Sequence, residues 1–353
     1  MKRRLPVILG VPLLAIVVAC EGPAGPRGPA GADGAPGAQG PPGTSFLQQC
    51  SQCHGGSTEI LSRVLEYEHS VHYTGGNFER ARDATCAVCH SHEGFVERIA
   101  AGTNTIPAGI ANPTPPNCRT CHMIHTNYDS TDLRLRATDP VTLLINDSTV
   151  DLGKGGDANL CTQCHQPRKP DPMPVLGDTT MITIPSTHYD MHHGTQGAVL
   201  AGTGAFAFKT SVTIVNGPMA HGSDQGGCPV CHMAKAYGVQ AGGHTWNMTY
   251  TLHGQVEDNT AGCETCHSIM NDFDYANVQT HVQTLLDSLQ VLLQNKGILD
   301  STGTVVTSTF SSDLTAAYLN WTMFEQDGSM GVHNPPYVVS VLTNTIAAVN
   351  AMP

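Results

Sequence analysis

One five-residue word, Cys-x-x-Cys-His, occurs six times and constrains this chain more than any other feature. The copies are CSQCH (50–54), CAVCH (86–90), CRTCH (118–122), CTQCH (161–165), CPVCH (228–232) and CETCH (263–267), and they use twelve of the thirteen cysteines. This is the attachment word of c-type haem: each thiol adds to a porphyrin vinyl group, and the adjoining histidine reaches the iron from the proximal side. Zinc ribbons also use Cys-x-x-Cys pairs but need no histidine after every second cysteine. Redox disulfides would leave that position free to vary. The words therefore predict six covalently bound haems c. Attachment is expected at Cys50, Cys53, Cys86, Cys89, Cys118, Cys121, Cys161, Cys164, Cys228, Cys231, Cys263 and Cys266. The proximal ligands are expected to be His54, His90, His122, His165, His232 and His267.

The thirteenth cysteine, Cys20, closes the opening run MKRRLPVILGVPLLAIVVAC. Lys2, Arg3 and Arg4 form a basic start and Leu5 to Val18 an apolar stretch, short for a membrane span. The pattern is that of an export signal over 1–19. Its end, VVAC, resembles a bacterial lipobox, so Cys20 is the expected lipidation site and the mature chain is expected to be exported and lipid-anchored. Export agrees with haem attachment outside the cytoplasm. An outer-membrane or cell-surface location is favoured over the periplasmic face of the inner membrane.

After Cys20, glycine recurs every third residue from Gly22 to Gly43 with interspersed proline. That is collagen-like composition. It predicts a stalk over 20–45, either a single polyproline II chain or a three-chain stem that would make the protein a trimer. As polyproline II it would span on the order of 70 Å. Residues 46–273 hold all six words, separated by Gly-, Pro-, Asn- and Thr-rich stretches such as 101–117. Short helices presenting each word are expected there, with a strand element at KTSVTIVNG (209–217). Residues 274–353 change character. Val278, Val282, Leu285, Leu286, Leu289, Leu292 and Leu293 fall at helical spacing, with Gly297 suited to end the helix. A second helix is expected from Ser312-Asp313, carrying Leu314, Tyr318, Trp321 and Phe324. A third is expected from Asn334-Pro335-Pro336, a cap followed by proline in the first turn. The expected fold is mainly α with extensive coil, organised around stacked haems, with a C-terminal helical bundle and a collagen-like N-terminal stalk.

The net charge of −12 argues against nucleic acid as a partner. Aromatic residues make up only 5% of the chain. Haem macrocycles are expected to supply the missing apolar volume, so the apoprotein is not expected to fold stably.

Twelve histidines lie outside the words, twice the number needed to fill a distal position at each iron. Histidine in that position keeps the potential low, where methionine would raise it. Sequence context nominates His72, His125, His193, His221, His244 and His333 as distal ligands. His125 lies three residues past His122 and is expected to serve a neighbouring iron. His333 precedes a helix start, whose positive end disfavours protonation. In HYDMHHGTQG (188–197), Gly194 leaves room beside His193, so His193 is preferred to His192. His188, His192 and His253 are second-rank candidates.

The strings CHMIHTNYDSTDLRLR, HHGTQGAVLAGTGAF, CPVCHM with GGHTW, and DGSMGVHNPPYVVSVLTNTI resemble the multihaem cytochromes c with doubled Cys-x-x-Cys-His words. That group includes outer-surface electron-transfer lipoproteins of metal-reducing bacteria. It is more distantly similar to pentahaem nitrite reductases and octahaem hydroxylamine oxidoreductases. The resemblance covers about residues 46–353. It implies distal ligation by His193 (or His192), His244 and His333.

These features predict a lipid-anchored hexahaem electron carrier of the cell envelope or outer surface, rather than an enzyme. Its partners would be other envelope redox proteins or extracellular electron acceptors. One alternative is a reductase of small nitrogen or sulfur oxyanions with one open iron. The nitrite reductases often place lysine where all six words here have histidine; His92, His253 and His281 could still line an open site. The other is a cytochrome filament whose distal ligands cross between chains.

Overall fold

The computed structural model describes residues 54–56, 58–268 and 270–353, all within one compact unit, Thr44–Pro353. The export signal, Cys20, the Gly-x-y stretch, Cys50 and Cys53 lie outside the described residues. Helices dominate. In chain order they are α1 Thr58–Glu68, α2 Val71–Thr74, α3 Ala84–His90, α4 His92–Ala101, α5 Cys118–Cys121, α6 Asn159–Thr162, α7 Gln196–Ala201, α8 Cys228–His232, α9 Val278–Asn295, α10 Ser312–Asp327 and α11 Pro335–Ala351. Among the described residues, strand is limited to three two-stranded antiparallel pairs: β1 Val141–Thr142 with β2 Thr149–Val150, β3 Met181–Thr183 with β6 Thr309–Ser311, and β4 Thr249–Leu252 with β5 Gln255–Asp258. The stretch 102–117 is irregular, as its Gly and Pro content demands.

The three long C-terminal helices form where the apolar periodicity places them. α9 buries Val282, Leu286, Leu289 and Leu293, a single face at i, i+4, i+7 and i+11. α10 starts at Ser311, whose side chain accepts the Leu314 N–H, and stops at Gly328 with φ 71°. α11 starts at Asn334, whose side chain accepts the Tyr337 N–H, with Pro335 in the first turn. α10 is the central member and is buried on every side, including Ala317, Leu319, Met323 and Phe324. Its core extends beyond the bundle to Leu143, Ile182, Ile184, Met191 and Val199. The helices thus share one apolar interior with residues from the haem-word region, and β3 pairs with β6 across the same junction.

The expected strand at 209–217 does not form. The chain from Ala205 to Val215 runs as an irregular strap along α10 and α11, and side chains satisfy its backbone. Asn320 bonds both polar backbone groups of Phe206. Asn344 bonds both of Phe208 and also the carbonyl of Val212. Ser340 accepts the Val215 N–H. β-propensity was outweighed by buried amides that offered the backbone its partners without a second strand.

Candidate haem-binding site

In a helical turn, residues i, i+3 and i+4 share one face. The word Cys-x-x-Cys-His on such a turn sends both thiols and the imidazole the same way. The described words adopt turns of this kind: CAVCH ends α3, CRTC forms α5, Cys161 lies in α6, CPVCH forms α8, and Cys263 lies in the 3-10 turn Thr260–Thr265. Two of these starts are fixed by local caps. Asp83 accepts the Thr85 N–H ahead of α3, and Asn117 and Thr120 cap each other's backbone at α5. The ten described cysteines are free thiols. Among the described residues, no group of three or more His, Cys, Asp or Glu is placed to hold a metal ion alone.

The histidines pair. Each word's imidazole faces one imidazole from outside the words. The ring centroids are 6.1 Å apart for His54 and His125, 5.9 Å for His90 and His192, and 6.3 Å for His122 and His244. They are 6.1 Å apart for His165 and His72, 6.4 Å for His232 and His333, and 6.1 Å for His267 and His221. Two imidazoles bound to opposite sides of one metal, each at about 2.0–2.1 Å, would place their ring centroids on the order of 6 Å apart. All twelve rings line a single cavity of about 2500 Å³. That is several times the roughly 300–1,000 Å³ of an ordinary small-molecule site, and its walls are chiefly carbon. α1 shows why the space needs an occupant. It is amphipathic yet has no buried residue, and its Ile60, Val64 and Tyr67 line the cavity. The residues fit a set of large apolar macrocycles, each between two imidazoles.

The electrostatics suit ligation. Burial pushes His72 down to about 4, with His165 adding to the effect. Burial and then Arg168 push His192 down to about 4. Burial likewise lowers His90, His165, His232 and His244. Neutral rings keep a lone pair for a metal. Several Nδ1 atoms meet carbonyls, which assigns the proton to Nδ1 and leaves Nε2 for the iron. His122 meets the Leu133 carbonyl at 2.6 Å, His221 that of Val332 at 2.8 Å, and His232 that of Trp246 at 3.0 Å. His333 differs. Burial alone would lower it, but the charge and hydrogen bond of Asp327 outweigh burial and the group is raised. The expectation from the helix start had left this carboxylate out.

The loop 188–197 resolves its clustered histidines by burial. Tyr189 and Met191 point into the core. The Asp190 carboxylate accepts the His192 N–H at 2.7 Å and supports a left-handed backbone there, φ 62°. His192 is thereby turned to His90. His193, preferred from the sequence, is 72% exposed and lies 3.9 Å from Asp190. Gly197 lies against the fourth word: a Cβ there would come within 2.7 Å of the His165 carbonyl oxygen. His188 and His253 do not line the cavity; His253 occupies the turn between β4 and β5. His92 contacts Thr120 instead, at 2.9 Å, and His281 is exposed on α9.

The sites adjoin one another. The Cys89 thiol reaches the Gln163 carbonyl at 3.9 Å, and the Cys161 and Cys228 thiols are close enough to influence each other, so the fourth word adjoins the second and the fifth. In the haem-bound protein these sulfurs would be thioethers. Trp246 stands edge-on to His72 at 4.8 Å and to His244 at 5.6 Å, and its carbonyl meets His232. It therefore touches three sites. Sequence reasoning passed over Trp246, Arg168 and Asp327; the scarcity of tryptophan and its place after GGHT were the available signals for the first.

No family model matches the chain. Over 141 residues it is 29% identical to the C-type polyheme cytochrome OmcC of Geobacter sulfurreducens, a match covering 33% of this chain and 17% of that protein's length. The solved structure of the outer cell wall cytochrome OcwA aligns with a TM-score of 0.49 at 19% identity, over 80% of this chain and 49% of that one. The haem-attachment words, the facing imidazoles and the likeness to OmcC identify the chain as a multihaem c-type cytochrome.

Proposed function

We propose that the chain is an electron carrier holding six covalent haems c, each iron between one word histidine and one of His125, His192, His244, His72, His333 and His221. The observation that carries this reading is the facing of six imidazole pairs at one spacing. Bound haem supplies the ferric/ferrous couple. The chain's own residues fix ligand geometry, exclude water from the carbon-lined cavity and set the field at each ring. With two histidines available per site, no position is left for a substrate, which weighs against an oxyanion reductase. All the paired rings belong to one chain, which weighs against ligands shared along a filament.

We further propose that Cys20 is lipidated and that the Gly-x-y stretch carries the haem domain off a membrane, facing envelope redox proteins or extracellular acceptors. Among the described residues, no helix is long and apolar enough to cross a membrane. Intact-mass measurement of the mature protein tests both parts. The expected mass is that of residues 20–353 plus six haems and one lipid modification. Fewer than six haem additions overturns the site assignment, and an unmodified Cys20 overturns the anchor.

A further inference from the structure

Asp327 is the last residue of α10, and its side chain is 1% exposed. Its Oδ1 accepts a hydrogen bond from His333 Nδ1 at 2.7 Å, and its other oxygen is held by the Ser329 hydroxyl. Among the described residues, no other of the twelve paired rings has a carboxylate within hydrogen-bonding distance. His122, His221 and His232 meet neutral carbonyls. His165 lies 3.4 Å from the Gln196 side-chain oxygen. His244 has Glu66 nearby, but at 3.8 Å. His192 meets a cation, Arg168, at 3.0 Å.

A carboxylate on the outer nitrogen of a ligating imidazole makes that ring a more basic, more electron-rich ligand. Such a ligand favours ferric over ferrous iron. The field around Asp327 has the same sign, because the residue stands at the negative end of α10. The start of α11 beside His333 opposes it, but with only about half a charge against a full one in direct contact. Burial strengthens the full charge further.

From this geometry we infer that Asp327 is a positioning residue that, acting through His333, makes the haem of the fifth word the lowest-potential station of the array. The inference rests on the ligation proposed above. Because the fifth word adjoins the fourth at Cys161 and Cys228 and the sixth where Gly262 packs on Cys231, this station lies within the path. It would be the last to accept an electron as the protein is reduced.

The test is an EPR-monitored redox titration of the holoprotein and of two variants, Asp327→Asn and Ser329→Ala. Asp327→Asn removes the charge and keeps the shape. The expected result is an upward shift of the lowest midpoint alone, with all irons still low spin. Ser329→Ala removes the hydroxyl that competes for the carboxylate, so the same midpoint is expected to shift down. A lowest midpoint unmoved in both variants, or moved in the same direction by both, overturns the inference. If Asp327→Asn does not assemble, the downward shift in Ser329→Ala decides alone. Failure of the ligation reading would look different: high-spin iron or missing haem in the unaltered protein.

Discussion

The outer nitrogen of a histidine decides how its inner nitrogen behaves, and here the outer partners differ from ring to ring. Carbonyls fix the tautomer of His122, His221 and His232, while Arg168 lies against His192. His192 and His193 give the sharpest residue-level prediction, since of these two neighbouring rings His192 faces His90 while His193 is exposed. His192→Ala should turn one iron from low spin to high spin, or open it to carbon monoxide, with haem content unchanged. His193→Ala should leave every iron low spin, because its ring is 72% exposed and lies beside His192 and Asp190 rather than facing a word histidine. An opened iron in the His193 variant alone would reverse the assignment. The twelve surplus histidines could be counted from the sequence, and the contexts of His72, His125, His221, His244 and His333 picked out rings that the structure brings to the words. Choosing between His192 and His193 required the inward burial of Met191, a tertiary fact, together with the local Asp190 turn that it orients.

At the scale of elements, the long helices were readable and the strap was not. α9 and α11 carry one-sided apolar patterns with recognisable ends, so 3.6-residue periodicity was enough. α10 is buried all round, and its amphipathic signal is weak for that reason. Its start was still legible at Ser312-Asp313, one residue past the cap Ser311. Residues 209–217, which overlap the strap, read as strand because their Val and Ile content is real, while the amides that capture the strap's backbone lie more than a hundred residues away. Asn344 is the clearest test. Asn344→Leu keeps the branching and reach of the side chain but strands the polar groups of Phe208 and the carbonyl of Val212. A loss on the order of 1–3 kcal/mol for each group left unpaired is expected. It should appear as a lower Tm of the holoprotein with unchanged haem content. An unchanged Tm would mean that water replaces the amide and the strap is not held as described.

For the whole molecule, the order of words along the chain is not their order in space. The second word touches the fourth, the fourth touches the fifth, and the ring facing His54 comes from the loop after the third. Spacing alone could not show this, because 102–117 and 166–195 fold back with little regular structure and their paths depend on what they cover. What sequence did reveal was the need for an occupant: few aromatic residues and six attachment words. The cavity of about 2500 Å³ is the structural counterpart of that deficit. The central claim is that every iron sits between two histidines of the same chain. Quantitative EPR of the fully oxidised holoprotein measures this most directly. The account predicts six low-spin ferric irons per chain with bis-histidine character and no high-spin signal. A high-spin iron in stoichiometric amount would contradict it and would mark a site open to substrate.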